Sequence, residues 1–294
     1  MGGDFTIENR VSITKDLLDI FAPSMEALSI LEWKGTDGLW TIVVRSVLVR
    51  QYEALETIVD LVQSRRAHLC VPLLRPAVEE HLWIAFLQTL TNVDREKFLM
   101  AKSQVETFET LEAQFNDAGV EQMRQIGFSQ DFLDAMRVSS EASKEILSGI
   151  GARLGWNLGR KSVPSTWFIA SQTGNEQLYS LIYHATSRTV HFTVAELLRR
   201  GWGNSGRVVI GSEMMDEYWA QFSLFWVTRI FALTFLGLVD EFVRLEIDID
   251  LGDDREEEID AAVKRFVKTG LIPIITPEEM NLHLKEPEKI FRIS

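Results

Sequence analysis

Apolar residues recur every three or four positions along most of this 294-residue chain. That spacing places them on one face of an α-helix, whereas the strict alternation that is typical of strands is scarce. We therefore expect an all-α fold, a helical bundle with long core helices, with more than about 60% helix and no sheet beyond a short hairpin. The helical pattern covers six stretches, which are residues 13–31, 40–90, 95–119, 129–150, 175–200 and 212–246.

Glycine-containing breaks divide this pattern into segments. Residues 1–211 are predicted to form the helical bundle, and residues 212–270 a C-terminal helical segment that packs on the bundle or on a partner. Three prolines within residues 271–294 limit φ and remove backbone donors, so this end is expected to be an extended tail. The GIGARLG run at residues 149–155 looks like a nucleotide-binding loop, but it follows a helical pattern rather than a strand, which predicts the end of a helix.

One apolar run, residues 222–239, is about long enough to cross a bilayer. Arg229 lies near its centre, where a charge costs roughly 2.5 to 3.5 kcal/mol on insertion scales. We expect a buried core helix rather than a membrane span, in which case Arg229 needs an acidic or carbonyl partner. The single cysteine, Cys70, and the absence of a signal-peptide pattern at the start of the sequence favour a cytoplasmic location.

The segment YSLIYHATSRTVH places Tyr179, Tyr183, Ser187 and His191 four residues apart. On an α-helix each such step drifts by only about 40°, so these side chains form one polar stripe. Each can donate or accept a hydrogen bond, and burying any of them without a partner costs roughly 1 to 3 kcal/mol. The polar stripe therefore faces either water or a polar site.

Charge is distributed unevenly in this acidic chain, whose formal net charge is −13. Residues 240–260 hold eleven acids and two arginines, whereas residues 153–207 hold seven basic residues and two acids. The polar stripe lies within the basic stretch, which favours an anionic ligand such as RNA or another phosphate-bearing molecule. Ordinary solvated helix-face charges would give the same pattern.

A second polar cluster interrupts the apolar segment CVPLLRPAVEEHLWIAFL, where Arg75, Glu79 and Glu80 fall within about a turn and a half of helix. Arg75 and Glu79 are four residues apart and can pair along the helix. Pro76 disfavours helical geometry at the residue before it, which predicts a kink or a helix start. Since neither polar cluster can be buried cheaply alone, we expect Arg75 or Glu79 within hydrogen-bonding distance of the polar stripe. An arginine and glutamate that only tie two helices together would show the same spacing.

His81 completes an Arg-x5-His spacing with Arg75, which resembles the Arg-x4-6-His pattern of HEPN ribonucleases. In those enzymes the histidine handles protons and the arginine holds the scissile phosphate of RNA, without a metal. A chain with this many arginines and histidines contains roughly one such spacing by chance.

Three motifs in order, RPAVEEHLWIAFL, DREKFLMAKSQVETFETL and YSLIYHATSRTVH, resemble a bacterial helical family known as a domain of unknown function and grouped with HEPN-like folds. The resemblance covers roughly residues 52–200 and implies a HEPN-like bundle; some relatives occur in phage-defence or toxin settings. The residues at the matching positions are Arg75, Glu79, Arg95, Phe98, Tyr183, Ser187 and His191.

Two functions remain open. The favoured one is a helical sensor or partner-binding module, in which the polar clusters lock the core. The alternative is a metal-independent HEPN-like ribonuclease or toxin, and a homo-oligomer or a protein partner is expected for either. No cofactor motif and no metal-ligand spacing is present, so neither is expected. The candidate catalytic residues are His191, His81, Arg75 and Glu79, and the candidate ligand- or RNA-binding residues are Arg188, Tyr183, Ser187 and Tyr179.

Overall fold

The protein is described by a computed structural model, and 83% of the part of the chain that it describes is helical. A single two-stranded hairpin is found among the described residues. Both observations confirm the all-α prediction. The predicted tail, residues 271–294, lies outside the described part of the chain. The described residues are 6–33, 38–156, 163–190, 193–198, 200–204, 207–247, 249 and 253–267.

The secondary structure follows the helical pattern closely. A 3-10 turn spans Ala67–Leu69, a π-helical turn spans Tyr179–Tyr183, and strands β1 (Gly201–Asn204) and β2 (Arg207–Ile210) pair antiparallel. The helices are α1 (Ile7–Ser29), α2 (Leu39–Gln63), α3 (Val71–Gln88), α4 (Asn92–Ala118), α5 (Val120–Gln125), α6 (Gln130–Leu154), α7 (Thr166–Gln172), α8 (Glu176–Leu178), α9 (His184–Val190), α10 (Val194–Leu198), α11 (Glu213–Leu236), α12 (Val239–Arg244) and α13 (Asp253–Val267).

Hydroxyl side chains define where several helices begin. Each of these residues has an extended backbone and accepts a hydrogen bond from the backbone N–H three residues later, which stabilises a helix by about 1 kcal/mol. At the other end of α6, Gly155 adopts a left-handed conformation with φ +84°, so the GIGARLG run is a helix end as predicted. The four hydroxyl caps are Thr6, Thr91, Ser129 and Ser165.

The predicted helical stretch at residues 40–90 is two helices rather than one. Arg65 has φ +54° and the Arg66 N–H donates to the Leu61 carbonyl at 2.8 Å, which closes the end of α2. The proline that was expected to mark a helix start or kink, Pro76, lies inside α3, which begins at Val71.

Three helices, α5, α7 and α13, lie outside the six predicted stretches, although α13 falls within the predicted C-terminal helical segment, residues 212–270. In α13 acids dominate the composition and conceal a short apolar face, which consists of Ile259, Ala262 and Phe266 and is buried. This face contacts α1 and α11, and the Phe266 ring stacks on Phe225 at 5.5 Å between centroids.

Contacts divide the chain into two compact units, which interleave in sequence. The first unit comprises residues 1–32, 44–82 and 175–294, and the second comprises residues 33–43 and 83–174. Helices α11 and α13 pack with α1 inside the first unit, and the predicted division of the chain at residue 211 stays a prediction.

Helix α11 forms the centre of the first unit. It is long and apolar enough to cross a membrane, but 78% of its Met215–Leu236 window is buried inside the protein. Phe231 and Phe235 pack edge-on against Phe21 with centroids 4.9 and 4.6 Å apart. The prediction of a core helix is therefore confirmed. Arg229 is exposed and lies over the Trp226 ring, so the buried partner that we expected for it is not needed.

The second unit is built on α4, which packs along α6. Near the start of α4 the rings of Trp83, Phe86, Phe98, Trp156 and Phe168 form one aromatic cluster, with neighbouring centroids 5.6 to 6.5 Å apart. At the far end, Phe108, Leu111, Phe115, Met123 and Leu133 form a separate buried cluster.

Gly151 allows Trp156 to complete the aromatic cluster. A Cβ at Gly151 would lie 2.5 Å from Nε1 of the Trp156 indole, closer than any real contact. We expect Gly151→Ala to lower the free energy of unfolding by about 1 to 3 kcal/mol, because the indole must move. Gly149→Ala, in the same helix, is the matched control. No atom lies within 4 Å of its Cβ, so the better helix propensity of alanine should stabilise the protein by about 0.5 to 1 kcal/mol. Urea denaturation of both variants measures the difference, and equal effects would contradict the packing argument.

Candidate functional site

Arg75 connects the two predicted polar clusters within the first unit. Its Nε donates to Glu79 Oε1 at 3.1 Å, and its Nη2 donates to the Tyr183 hydroxyl at 3.1 Å. The guanidinium carbon also lies 4.8 Å from the centroid of the Tyr183 ring, in a cation–π contact. The predicted link between Arg75 and the polar stripe is confirmed.

The polar stripe begins on a π-helical turn instead of a regular α-helix. In a π turn the backbone bonds span five residues, so side chains four apart point in more similar directions than they do on an α-helix. Tyr179 and Tyr183 are accordingly stacked, with ring centroids 4.6 Å apart and an interplanar angle of 23°. Single π turns within helices occur frequently at functional sites. We call Arg75, Glu79, Tyr179 and Tyr183 the Arg75 network.

The Arg75 network is open to water on one side. The side chain of Arg75 is 22% exposed and that of Glu79 is 36% exposed. Burial raises the pKa of Tyr179, the neighbouring Tyr183 raises it further, and Arg75 opposes the rise. Tyr179 is therefore a neutral hydroxyl group at neutral pH, able to donate and accept hydrogen bonds.

His184 is a histidine of this site that sequence reasoning missed. It follows Tyr183 directly, is exposed, and lies edge-on to Tyr179 and Tyr183 with centroids 6.4 and 6.1 Å away. Its place beside Tyr183 in the sequence could have indicated it. The four-residue spacing selected Tyr183, Ser187 and His191 instead, and His184 does not belong to that series.

Glu80 and Arg50 form an ion pair on another side of α3. Burial raises the pKa of Glu80, whereas Arg50 and a hydrogen bond from Gln51 oppose that rise. Gln51 is itself buried, and its amide donates to the Ala77 carbonyl at 3.2 Å. These contacts tie α2 to α3, and no local sequence signal relates the residues.

His81 is a buried, hydrogen-bonded core residue. Its Nδ1 lies 3.1 Å from the Thr234 hydroxyl, and that hydroxyl donates its proton to the Ile230 carbonyl at 2.8 Å. The hydroxyl oxygen must therefore accept from Nδ1–H. Burial lowers the pKa of His81 to about 4, although a hydrogen bond with Asn175 acts in the opposite direction. The imidazole is neutral at pH 7 and ties α3 to α11, which is what a structural histidine does.

The remaining predicted site residues are only partly described. Ser187 is half-buried on α9. The side chain of Arg188 and the whole of His191 lie outside the described part of the chain, so their catalytic and ligand-binding roles stay predictions. No group of three or more histidine, cysteine or acidic side chains is placed to hold a metal ion in the described ranges.

Arg95 and Phe98 belong to the second unit and are buried there. The Arg95 guanidinium lies 4.5 Å from the Trp40 ring, and it donates to Asn92 Oδ1 at 2.6 Å and to the Leu87 carbonyl at 3.4 Å. These contacts join the end of α3 to the start of α4. They give Arg95 a role in building the second unit.

A family model of unknown function, DUF5677, matches residues 41–207, which is more than half of the chain. The chain belongs to this family. The matched region contains the whole Arg75 network as well as Arg95, Phe98 and His191. This agrees with the expected membership of an uncharacterised family over roughly residues 52–200. No curated protein and no solved structure matches the chain.

The low pKa of His81 makes folding stability dependent on pH. In the unfolded chain a histidine takes up a proton near pH 6.5, whereas His81 in the folded protein does so only near pH 4. The contribution of His81 to the free energy of unfolding is therefore fully present above pH 6.5, and it is lost as the pH falls towards 4. Thermal or urea unfolding should show a loss of about 2 kcal/mol between pH 7.5 and pH 5 that His81→Gln removes. His184→Gln controls for the loss of a histidine as such. An unchanged pH dependence in His81→Gln would show that His81 is not the responsible group.

Proposed function

We propose that this DUF5677 protein is a HEPN-like helical sensor module that recognises a ligand or partner and does not catalyse a reaction. Its setting is the bacterial cytoplasm, in phage defence or a toxin system, where it acts as a homo-oligomer or with a protein partner. The proposal is supported by the contacts of Arg75 and by the burial of His81, two of the predicted catalytic residues. Arg75 is engaged with Glu79 and Tyr183, and His81 is neutral and buried.

The π turn supplies a mechanism for sensing. A π turn holds one residue more than the α-helical turn it replaces, so converting it to regular α-helix rotates the helix that follows by about 100°. That helix is α9, which carries Ser187 and Arg188. The contact between Arg75 and Tyr183 favours the π form. A ligand that binds Arg75 in place of Tyr183 would shift the population towards the other form.

The ligand class that fits this mechanism is a phosphate-bearing anion. A hydrogen bond from a guanidinium to a phosphate oxygen is stronger than one to a tyrosine hydroxyl, because it joins opposite charges. Phosphate can therefore replace Tyr183 as the acceptor of the Arg75 hydrogen bond. The net positive charge of residues 153–207 favours the approach of such an anion. RNA and small phosphorylated molecules share this chemistry.

The alternative is the metal-independent ribonuclease or toxin, and one observation favours it. Arg75 and the exposed His184 both adjoin Tyr183, so an arginine and a histidine are present at the same site. His191, predicted on the same polar stripe, would be a second proton-transfer group. The burial of His81 argues against this role for it.

Cleavage of RNA separates the two functions. We expect purified wild-type protein to leave end-labelled single-stranded RNA intact in the presence of a chelator, as a sample without protein does. If cleavage occurs and His184→Ala or His191→Ala lowers its rate by about 100-fold, the ribonuclease function is correct. His81→Gln is the control for a structural histidine, and circular dichroism checks that each variant is folded.

Hydrogen–deuterium exchange tests the sensing mechanism. Tyr183→Phe removes the hydroxyl that accepts from Arg75, and the loss of about 1 kcal/mol should raise amide exchange in α9 about fivefold. Inorganic phosphate added to the wild type should have the same effect, since it competes for Arg75. Tyr218→Phe, on α11, makes the same chemical change outside the Arg75 network and should leave α9 unaffected. If neither Tyr183→Phe nor phosphate changes amide exchange in α9, the contact between Arg75 and Tyr183 does not control the conformation of α9, and the sensing mechanism is wrong.

A further inference from the structure

The second unit has a surface groove at the far end of α4. It has a volume of about 420 Å³ and is bordered by Leu111 and Gln114 of α4 and by Phe128 and Phe132. A shallower depression of about 610 Å³ adjoins it along α4 and is bordered by Glu106, Glu109 and Asp117. Glu106, Thr110 and Gln114 line both. We call this continuous surface, apolar on one side and acidic on the other, the tip groove.

The apolar side of the tip groove is not needed to fill the core. The five residues of the cluster beneath it, which include Leu111 and Leu133, are each at least nine-tenths buried, and Phe128 packs against them whereas Phe132 does not. Phe132 nevertheless leaves 45% of its surface exposed beside Phe128, with ring centroids 5.8 Å apart. Val120 and Ile126, on the segment that joins α4 to α6, are more exposed still. Exposed apolar side chains that line a groove, as Phe132 does, mark interaction sites.

Acidic residues outnumber basic residues around the tip groove. Residues 103–134 contain seven acids against one basic residue, Arg124. Arg137 pairs with Glu112 and Asp134 from outside this stretch, and Lys102 and Lys144 pair with Glu106 and Glu109. Glu106 and Glu109 are both more than half exposed, so their pairs are weak and a partner can replace them. A second copy of the chain would bring this acidic surface against itself, which disfavours it as the occupant.

We propose that the tip groove binds a basic amphipathic helix of a partner protein. Apolar side chains at helical spacing on that helix would enter between Leu111, Phe128 and Phe132, and its lysines or arginines would meet Glu106, Glu109 and Asp117. The geometry is that of an apolar groove with an acidic border, which selects a helix with one apolar and one basic face. This interaction is independent of the Arg75 network.

A designed peptide of leucine and lysine, about 14 residues long with leucines on one helical face, is the probe. Its binding to the full chain is followed by fluorescence anisotropy, and a peptide with glutamate in place of each lysine is the charge control. We expect Phe132→Ser to weaken binding of the lysine peptide about tenfold or more. Ile146→Ser is the matched control, because Ile146 lies on the same helix α6 and is equally exposed at 45%. It should leave the affinity unchanged.

A double variant, in which glutamine replaces both Glu106 and Glu109, tests the role of charge. This double variant should lower the affinity and reduce its dependence on salt. Equal loss in Phe132→Ser and Ile146→Ser, or equal affinity for both peptides, would overturn the proposal. So would a wild-type dimer that Phe132→Ser dissociates, since the occupant would then be a second copy. Arg75→Lys should not affect peptide binding, so failure here and failure of the sensor mechanism are distinguishable.

Discussion

The candidate site depends on the cost of placing polar side chains in an otherwise apolar helix. Helix α3 carries Arg75, Glu79, Glu80 and His81 among residues that are mostly buried, and each would destabilise the fold if it lacked a partner. The neighbouring elements supply those partners: α2 contributes Arg50 and Gln51, the π turn contributes Tyr183, and α11 contributes Thr234. The packing of α3 in the first unit is therefore specified by polar pairing as well as by apolar burial.

The π turn follows from the same constraint. A regular α-helix is the more favourable backbone for YSLIY taken alone, because π turns are rare. In the structure, the stacked tyrosines and the bond from Arg75 offset that preference. An element held in a less favourable conformation by a few side-chain contacts has a second conformation close in free energy. This gives the proposed sensor a physical basis.

The two units differ in how they handle polar and apolar groups. In the first unit polar groups are brought inward and paired, as with His81 between Thr234 and Asn175. The second unit also has a buried and paired cation, Arg95, beside its aromatic core, but it leaves Phe132 exposed next to an acidic surface. Stable interiors do not require exposed phenylalanines, which is why the tip groove suits a role in binding.

The sequence by itself determined the long helices before residue 247 and the burial of α11, because helical spacing, hydroxyl caps and glycine ends are local signals. It also indicated the pairing of Arg75 with Glu79 and a link to the polar stripe, since four-residue spacing and the cost of unpaired polar groups require no knowledge of the fold. Only the tertiary structure decided the π turn, the partners of His81 and Glu80, and the exposed direction of Arg229. Those depend on which helices become neighbours, and residues as distant in the sequence as His81 and Thr234 have no local signal that relates them.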